Sequence, residues 1–274
     1  MESHDLWIFK HVAELQSVSK AAEKLGYVQP NVSQRIKALE EELGVRLFKR
    51  NNRGVTLTEE GEVLLEYTIQ IMLLMDEAKS LVNPKKWRES LAIGASQTIS
   101  AVKIPQLLSS FLSEQTNIDV KVKTNDQEKL QDMLTFGELD GVFIKGPCNH
   151  AQFETVYSYF EKLALISPKN KDCEKQHRQT LIVNSDKNCL YRNKTLDLFK
   201  ENQSILEFDS LESILQAVHD GLGISIIPAD VANSRKKSIQ YKELSETIKI
   251  DFIIKHRKQQ SQSLKKFIDF LQRI

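Results

Sequence analysis

Apolar residues in the N-terminal part of the chain recur at helical spacing. Phe9, Val12 and Ala13 mark one face, Ala21, Ala22 and Leu25 a second, and Val32, Ile36, Leu39 and Leu43 a third. Three short helices in succession are predicted. Between the second and third, Gly26-Tyr27-Val28-Gln29-Pro30 places a glycine where a helix stops and a proline in the first turn of the next, the punctuation of a helix-turn-helix. A turn around Asn51, Asn52 and Gly54, flanked by apolar runs at 45–48 and 55–57, predicts a short hairpin. Over 59–82, Leu64, Tyr67, Ile71, Leu74, Ala78 and Leu81 alternate spacings of three and four, which is a short heptad seam. Such a seam either pairs with a second helix or packs on its own domain. Thr58 caps that helix, and Glu59, Glu60 and Glu62 crowd its positive end.

The pattern changes near Asn83-Pro84-Lys85-Lys86-Trp87. Beyond it, short apolar runs at 90–95, 119–123 and 141–144 alternate with helical stretches that follow 96–98 and span 127–136, as in a parallel α/β sheet. The alternation repeats, with strands at 162–167, 180–184, 205–208 and 223–227 and helices at 191–201 and 211–220, so two α/β lobes are expected. A strand at 249–254 and an amphipathic helix at 261–274 close the chain, with Leu264, Phe267, Ile268 and Leu271 on one side of the helix.

At 274 residues the chain is long enough for two domains, and 41% hydrophobic with 27% charged residues is the balance of an ordinary soluble protein. Thirty-eight basic residues against 37 acidic ones leave a net charge of +1, so a nucleic-acid site has to be a local patch. Cys148, Cys173 and Cys189 are odd in number and widely spaced, which signals neither a disulfide framework nor a zinc site and fits a reducing cytoplasm. No apolar run is long enough for a secretory signal or a membrane span. The six histidines lack metal-ligand spacing, and phosphate-loop, HExxH and G-x-S-x-G patterns are all missing, so neither cofactor nor catalysis is expected. Gly221-Leu222-Gly223 precedes a strand, where a nucleotide fingerprint should follow one, and reads as a helix stop. An α/β enzyme of unfamiliar design is the alternative.

The second helix of the helix-turn-helix projects Asn31, Ser33, Gln34, Arg35 and Lys37 away from its apolar face. A polar face by itself is equally a solvated surface. Lys49, Arg50 and Arg53 in the adjoining hairpin decide between the two, because a basic wing beside a reading helix tracks phosphates.

These residues resemble the LysR-type transcriptional regulators. The resemblance rests on the serine-rich entry Ser17 to Leu25, on VQPNVSQRIKALEEELGVRLFKR from Val28, and on LTEEGEVLL from Leu57, and it is dense over roughly the first 85 residues. Val28 departs from it, since many members carry serine at that helix start. The resemblance implies an all-α winged helix-turn-helix at 1–58, a linker and dimerisation helix with hinge at 59–89, and an effector-binding domain at 90–274. The last has the fold of two-lobed periplasmic binding proteins, with lobe I at about 90–161 and 253–274 and lobe II at about 162–252. It further implies that the protein is cytoplasmic and works as a homodimer or homotetramer on inverted-repeat double-stranded DNA, with RNA polymerase as a further partner. Ser19, Gln29, Pro30, Asn31, Ser33, Gln34, Lys37, Arg50 and Arg53 are then the DNA-binding residues.

In open α/β lobes ligands sit beyond the carboxyl ends of strands and on helix N-termini. Those positions hold Ser96, Gln97, Thr98, Lys145, Cys189 and Arg192, and they point to a small anionic effector between the lobes. Ser96 and Thr98 serve equally as ordinary helix caps, and Lys145 and Arg192 as solvated surface charges. Cys189 reads as a small packed hydrophobe or as a redox-sensing thiol.

Overall fold

The computed structural model describes residues 1–51, 54–83, 86–146, 148–149, 151–169, 180–198, 204–256 and 260–274. Its first helices are α1 (Ser3–Leu15), α2 (Val18–Leu25) and α3 (Gln29–Leu43), packed through Ile8, Phe9, Val12, Ala21, Val32, Ile36 and Leu39. All seven are buried, as the three apolar stripes require. The wing follows, with β1 (Phe48–Asn51) antiparallel to β2 (Gly54–Leu57).

Two contacts tie the wing to the helices. The amide of Val55 donates to the carbonyl of Gln16 at 3.0 Å, which holds Gln16 in the left-handed region at φ 49°. A Cβ on Gly54 would lie 2.3 Å from that same carbonyl oxygen, so only glycine fits the approach. On the other side, the buried carboxylate of Glu40 accepts the amides of Leu47 (2.8 Å) and Phe48 (3.3 Å) and pairs with Arg46 at 3.0 Å. The reading helix and the start of the wing therefore move together.

Helix α4 (Glu59–Val82) begins at Thr58, whose hydroxyl accepts from the Gly61 amide at 3.0 Å and donates to the Arg46 carbonyl at 2.7 Å. Its far half docks on the C-terminal domain. Ile69 packs on Gly137, Phe136 reaches the N-terminal core, and Gln262 donates to Glu77 at 3.3 Å.

That domain contains β3 (Glu89–Ala95), α5 (Gln97–Glu114), β4 (Ile118–Thr124), α6 (Gln127–Thr135), β5 (Gly141–Lys145), β6 (Phe153–Pro168), β7 (Leu181–Asn184) and α7 (Leu190–Leu198). It continues through β8 (Ile205–Phe208), α8 (Leu211–His219), β9 (Ser225–Pro228), α9 (Ala229–Ser234), β10 (Ile239–Lys255) and α10 (Gln262–Arg273). The main sheet has the order β4-β3-β5-β10-β6-β9, with β3 parallel to β4 and β5, while β7 and β8 form a parallel pair joined beside β9 by the Leu181–Ile224 bridge.

Strands β6 and β10 are the two crossovers. They pair antiparallel from Ile239–Pro168 to Lys255–Phe153, with a register shift between Glu243 and Thr247. One end of the ribbon lies beside β5 and the other beside β9, so the same two strands belong to both lobes. The runs expected at 162–167 and 249–254 are the most apolar halves of these strands of 16 and 17 residues. Around the ribbon, Phe111, Phe252, Phe267 and Phe270 form one buried aromatic core under α5 and α10, with centroids 5.0–5.5 Å apart where Phe111 meets Phe267 and Phe270. Phe111 meets Phe267 edge-to-face and Phe270 at a tilt, and such contacts add to the area term of about 1.5–3 kcal/mol per buried side chain. Lobe II has its own core of Ile166, Ile182, Leu215, Val218 and Ile227.

Candidate functional site

On the reading helix, burial of Val32, Ile36 and Leu39 turns the opposite face to solvent. Gln29, Pro30, Asn31, Gln34 and Lys37 are exposed there and Ser33 is half-buried. Val28 provides no side-chain cap, which leaves the start of α3 to Pro30 and the free first-turn amides. Ser19 is exposed in the first turn of α2, while Ser17 performs the capping by accepting from the Lys20 amide at 3.3 Å. Arg35 is exposed on that face too, and its guanidinium pairs with Asp5 at 2.7 Å, which braces α3 on α1. Lys49 and Arg50 are exposed on the wing, and Arg53 lies outside the described residues.

The heptad seam of α4 is split: Leu64 packs on the N-terminal core and Ile71 is half-buried, while its other large members face solvent. Leu65, Thr68 and Ile69 are buried against the domain, whereas Tyr67, Leu74 and Leu81 of the seam are 48%, 47% and 74% exposed.

Between the lobes lies a cavity of about 600 Å³. The N-terminus of α5 brings Ser96, Gln97 and Thr98 to it, the end of β5 brings Lys145, and lobe II contributes Asn184 to Asp186 and Cys189. Although Ser96 occupies the cap position of α5, its hydroxyl makes no capping bond and is buried without a hydrogen-bond partner. Buried hydroxyls in that state are uncommon and mark a place where a polar partner is expected.

Lys145 has no ion-pair partner among the described residues, and its ammonium sits 3.8 Å from the centroid of the Tyr191 ring. Burial lowers its pKa to about 8, with the fields of Cys189, Glu161 and Asp186 working the other way. The Tyr191 hydroxyl donates to Glu161 on the crossover strand β6. Burial raises the pKa of both groups, Tyr191 well above its ordinary value. Lys145 of lobe I, Tyr191 of lobe II and Glu161 of the ribbon thus form one connected polar path through the hinge. Neither Tyr191 nor Glu161 was legible as a site residue, because the strand that carries Glu161 shows no apolar run there.

Arg192 is engaged within lobe II: its guanidinium donates to the Asn184 carbonyl at 2.7 Å and pairs with Glu207 at 2.7 Å, which staples α7 to β7 and β8. It lines a small adjoining cavity with Thr98, Asn184, Cys189 and Tyr191 and not the large one. The lining of the large cavity includes Asp126, Glu128, Asp186 and Asp209. Among the described residues no group of histidine, cysteine and carboxylate side chains could hold a metal ion, and no helix is long and apolar enough to cross a membrane.

Residues 3–62 match the bacterial regulatory helix-turn-helix proteins of the lysR family, and residues 84–274 match the LysR substrate binding domain. The chain belongs to the LysR family of transcriptional regulators. It is 37% identical to the HTH-type transcriptional regulator YusT of Bacillus subtilis across 98% of its own length and 95% of that protein's. In fold it is similar to a full-length OxyR point variant from Pseudomonas aeruginosa, with TM-score 0.70 and 22% identity over 99% of this chain and 95% of that one. It is also similar to full-length CbnR in complex with its target DNA, with TM-score 0.58 and 23% identity over 100% and 99% of the two chains. As a LysR-type regulator it is a DNA-binding protein with a C-terminal effector domain.

Proposed function

We propose that this LysR-type regulator acts in the cytoplasm by binding alone, as a homodimer or a tetramer of such pairs, under the control of a small effector with an anionic group. The reading head is assigned to 1–58, the linker to 59–89 and the effector domain to 90–274. Two heads paired through the exposed Tyr67, Leu74 and Leu81 seam face major grooves about 34–36 Å apart or a multiple of that, and the site is an inverted repeat. Ser19, Gln29, Asn31, Ser33, Gln34 and Lys37 serve base edges and neighbouring phosphates, Pro30 sets the start of α3, and Arg50 with Arg53 serves the backbone.

The observation that carries the effector reading is the pair formed by Lys145, a cation without an ion-pair partner among the described residues, and the orphaned Ser96 hydroxyl, both lining one cavity. Thr98 and Gln97 flank them at the N-terminus of α5, where free amides and the positive dipole end favour anions. Arg192 supports α7 from behind. An effector acts only by preferring one lobe arrangement, and the Lys145–Tyr191–Glu161 path gives its carboxylate a route to the hinge.

Thermal denaturation of the purified chain with small carboxylates tests this. A specific ligand at 100 times its Kd stabilises by about 2.7 kcal/mol, and Lys145→Ala abolishes the shift while DNA binding persists. Stabilisation by neutral ligands alone, or an undiminished response in Lys145→Ala, removes the anion site in favour of Cys189 as a redox input, since that thiol also lines the cavity.

A further inference from the structure

The wall of the interlobe cavity is not uniformly suited to an anion. Lys145 stands alone as a cation among lining residues that include four carboxylates, Asp126 and Glu128 from the α6 end of lobe I and Asp186 and Asp209 from lobe II. All four are exposed, and none is in an ion pair among the described residues. Two have part of their capacity engaged: Asp126 accepts from the Lys129 amide at 2.8 Å and Asp186 from the Asn188 amide at 2.9 Å. The buried, orphaned Ser96 hydroxyl lines the same cavity as Lys145. The polarity is therefore mixed, with one buried cation and a free buried hydroxyl beside exposed carboxylates from both lobes.

A simple carboxylate entering this cavity meets one favourable charge and several opposing ones, whose repulsion is weakened by solvent but not removed. A molecule with a carboxylate at one end and a protonated amine at the other satisfies both ends. We infer that the effector is a zwitterion of the α-amino-acid type, its carboxylate on Lys145 and Ser96 and its ammonium toward Asp186 and Asp209. This rests on the anionic-effector reading above and narrows it. The acids of lobe II and the cation of lobe I then hold opposite ends of one ligand, so the ligand itself bridges the lobes.

The test uses the full-length protein and calorimetric titration with the twenty L-α-amino acids. For the tightest binder, two truncated analogues follow, the acid with the amine replaced by hydrogen and the amine left by decarboxylation. Both should bind at least about tenfold more weakly than the parent. In the variant carrying Asp186→Asn and Asp209→Asn, the amino acid should weaken while the deaminated acid tightens, a reversal of sign that general loss of structure does not produce. Equal or tighter binding of the deaminated acid to the unaltered protein, or a panel without a binder, overturns the zwitterion. If the decarboxylated amine keeps full affinity and Lys145→Gln has no effect, the anionic reading beneath it falls as well.

Discussion

At Lys145 a single side chain couples the effector site to pH. Burial without an ion-pair partner among the described residues leaves its pKa at about 8, below the usual lysine range, so the group is mostly charged at neutral pH and loses its proton just above it. A bound carboxylate favours the charged form, so affinity is level below pH 8 and falls as pH rises past it, by about tenfold per unit while the complex keeps its proton. The folded form of the free protein carries the opposite linkage: with the pKa depressed, folding is penalised below about 8 and relieved as pH climbs toward the ordinary lysine value. Calorimetric titration with a carboxylate from pH 6.5 to 9.5 should show the fall, and Lys145→Arg should flatten it, because guanidinium stays charged. A level profile in the unaltered protein contradicts the assignment. That Lys145, Ser96 and Thr98 lie beside one cavity could be read from the chain because strand ends and helix starts are local signals. The ion pair of Arg192 with Glu207 could not, because Glu207 is on another strand and pairing of that kind leaves no trace in the spacing of residues.

Among the elements, most strands and helices were legible wherever an apolar run was bounded by turn residues; 205–208 is one, and the structure places β8 at Ile205–Phe208. The outer halves of the crossover strands were not. Over 153–161, aromatic and polar residues are mixed on a partly exposed ribbon with no long apolar run, and the partner segment at 239–248 comes some eighty residues later. Helix α9, with six residues, is too short to show a period. The contact between α1 and lobe I was equally invisible, and it brings like charges together. Burial and the neighbouring Glu14 raise the pKa of Glu138, with Lys24 and Lys10 opposing; burial would raise Glu14 too, but the Lys24 hydrogen bond and the charges of Lys10, Lys24 and His11 outweigh it and its pKa is lowered. A raised carboxyl favours folding at acid pH and loses that favour as pH climbs through its folded value. Glu138→Gln keeps a donor for Glu14 and removes the repulsion, so it should raise stability at pH 7 by about 0.5 kcal/mol, the scale of a partly exposed pair. The gain should shrink as pH falls toward the carboxylate range. Melting curves across pH 4.5 to 8 check this, and a gain that grows on acidification contradicts it.

For the whole molecule, the two halves were legible to different depths. The head is a short, local fold whose helix stops, wing turn and Thr58 cap are all specified by neighbours in the chain, so its outline and the family resemblance emerge together. The two-lobed domain depends on long-range pairing, and the double crossover could be inferred only through the resemblance. What joins the halves is α4, buried on one side and exposing Tyr67, Leu74 and Leu81 of its seam. That exposure makes self-association the central claim, since one head covers too few base pairs for strong specificity. The most direct measurement is sedimentation of the full chain with a duplex selected from a random pool. The account expects two or four chains per duplex and an inverted repeat with half-sites about 34–36 Å apart or a multiple of that. Leu74→Arg on the seam should shift the free protein toward monomer and weaken the complex at least about a hundredfold, through loss of the second head's contribution. A single chain bound with full specificity to an asymmetric site would contradict the account.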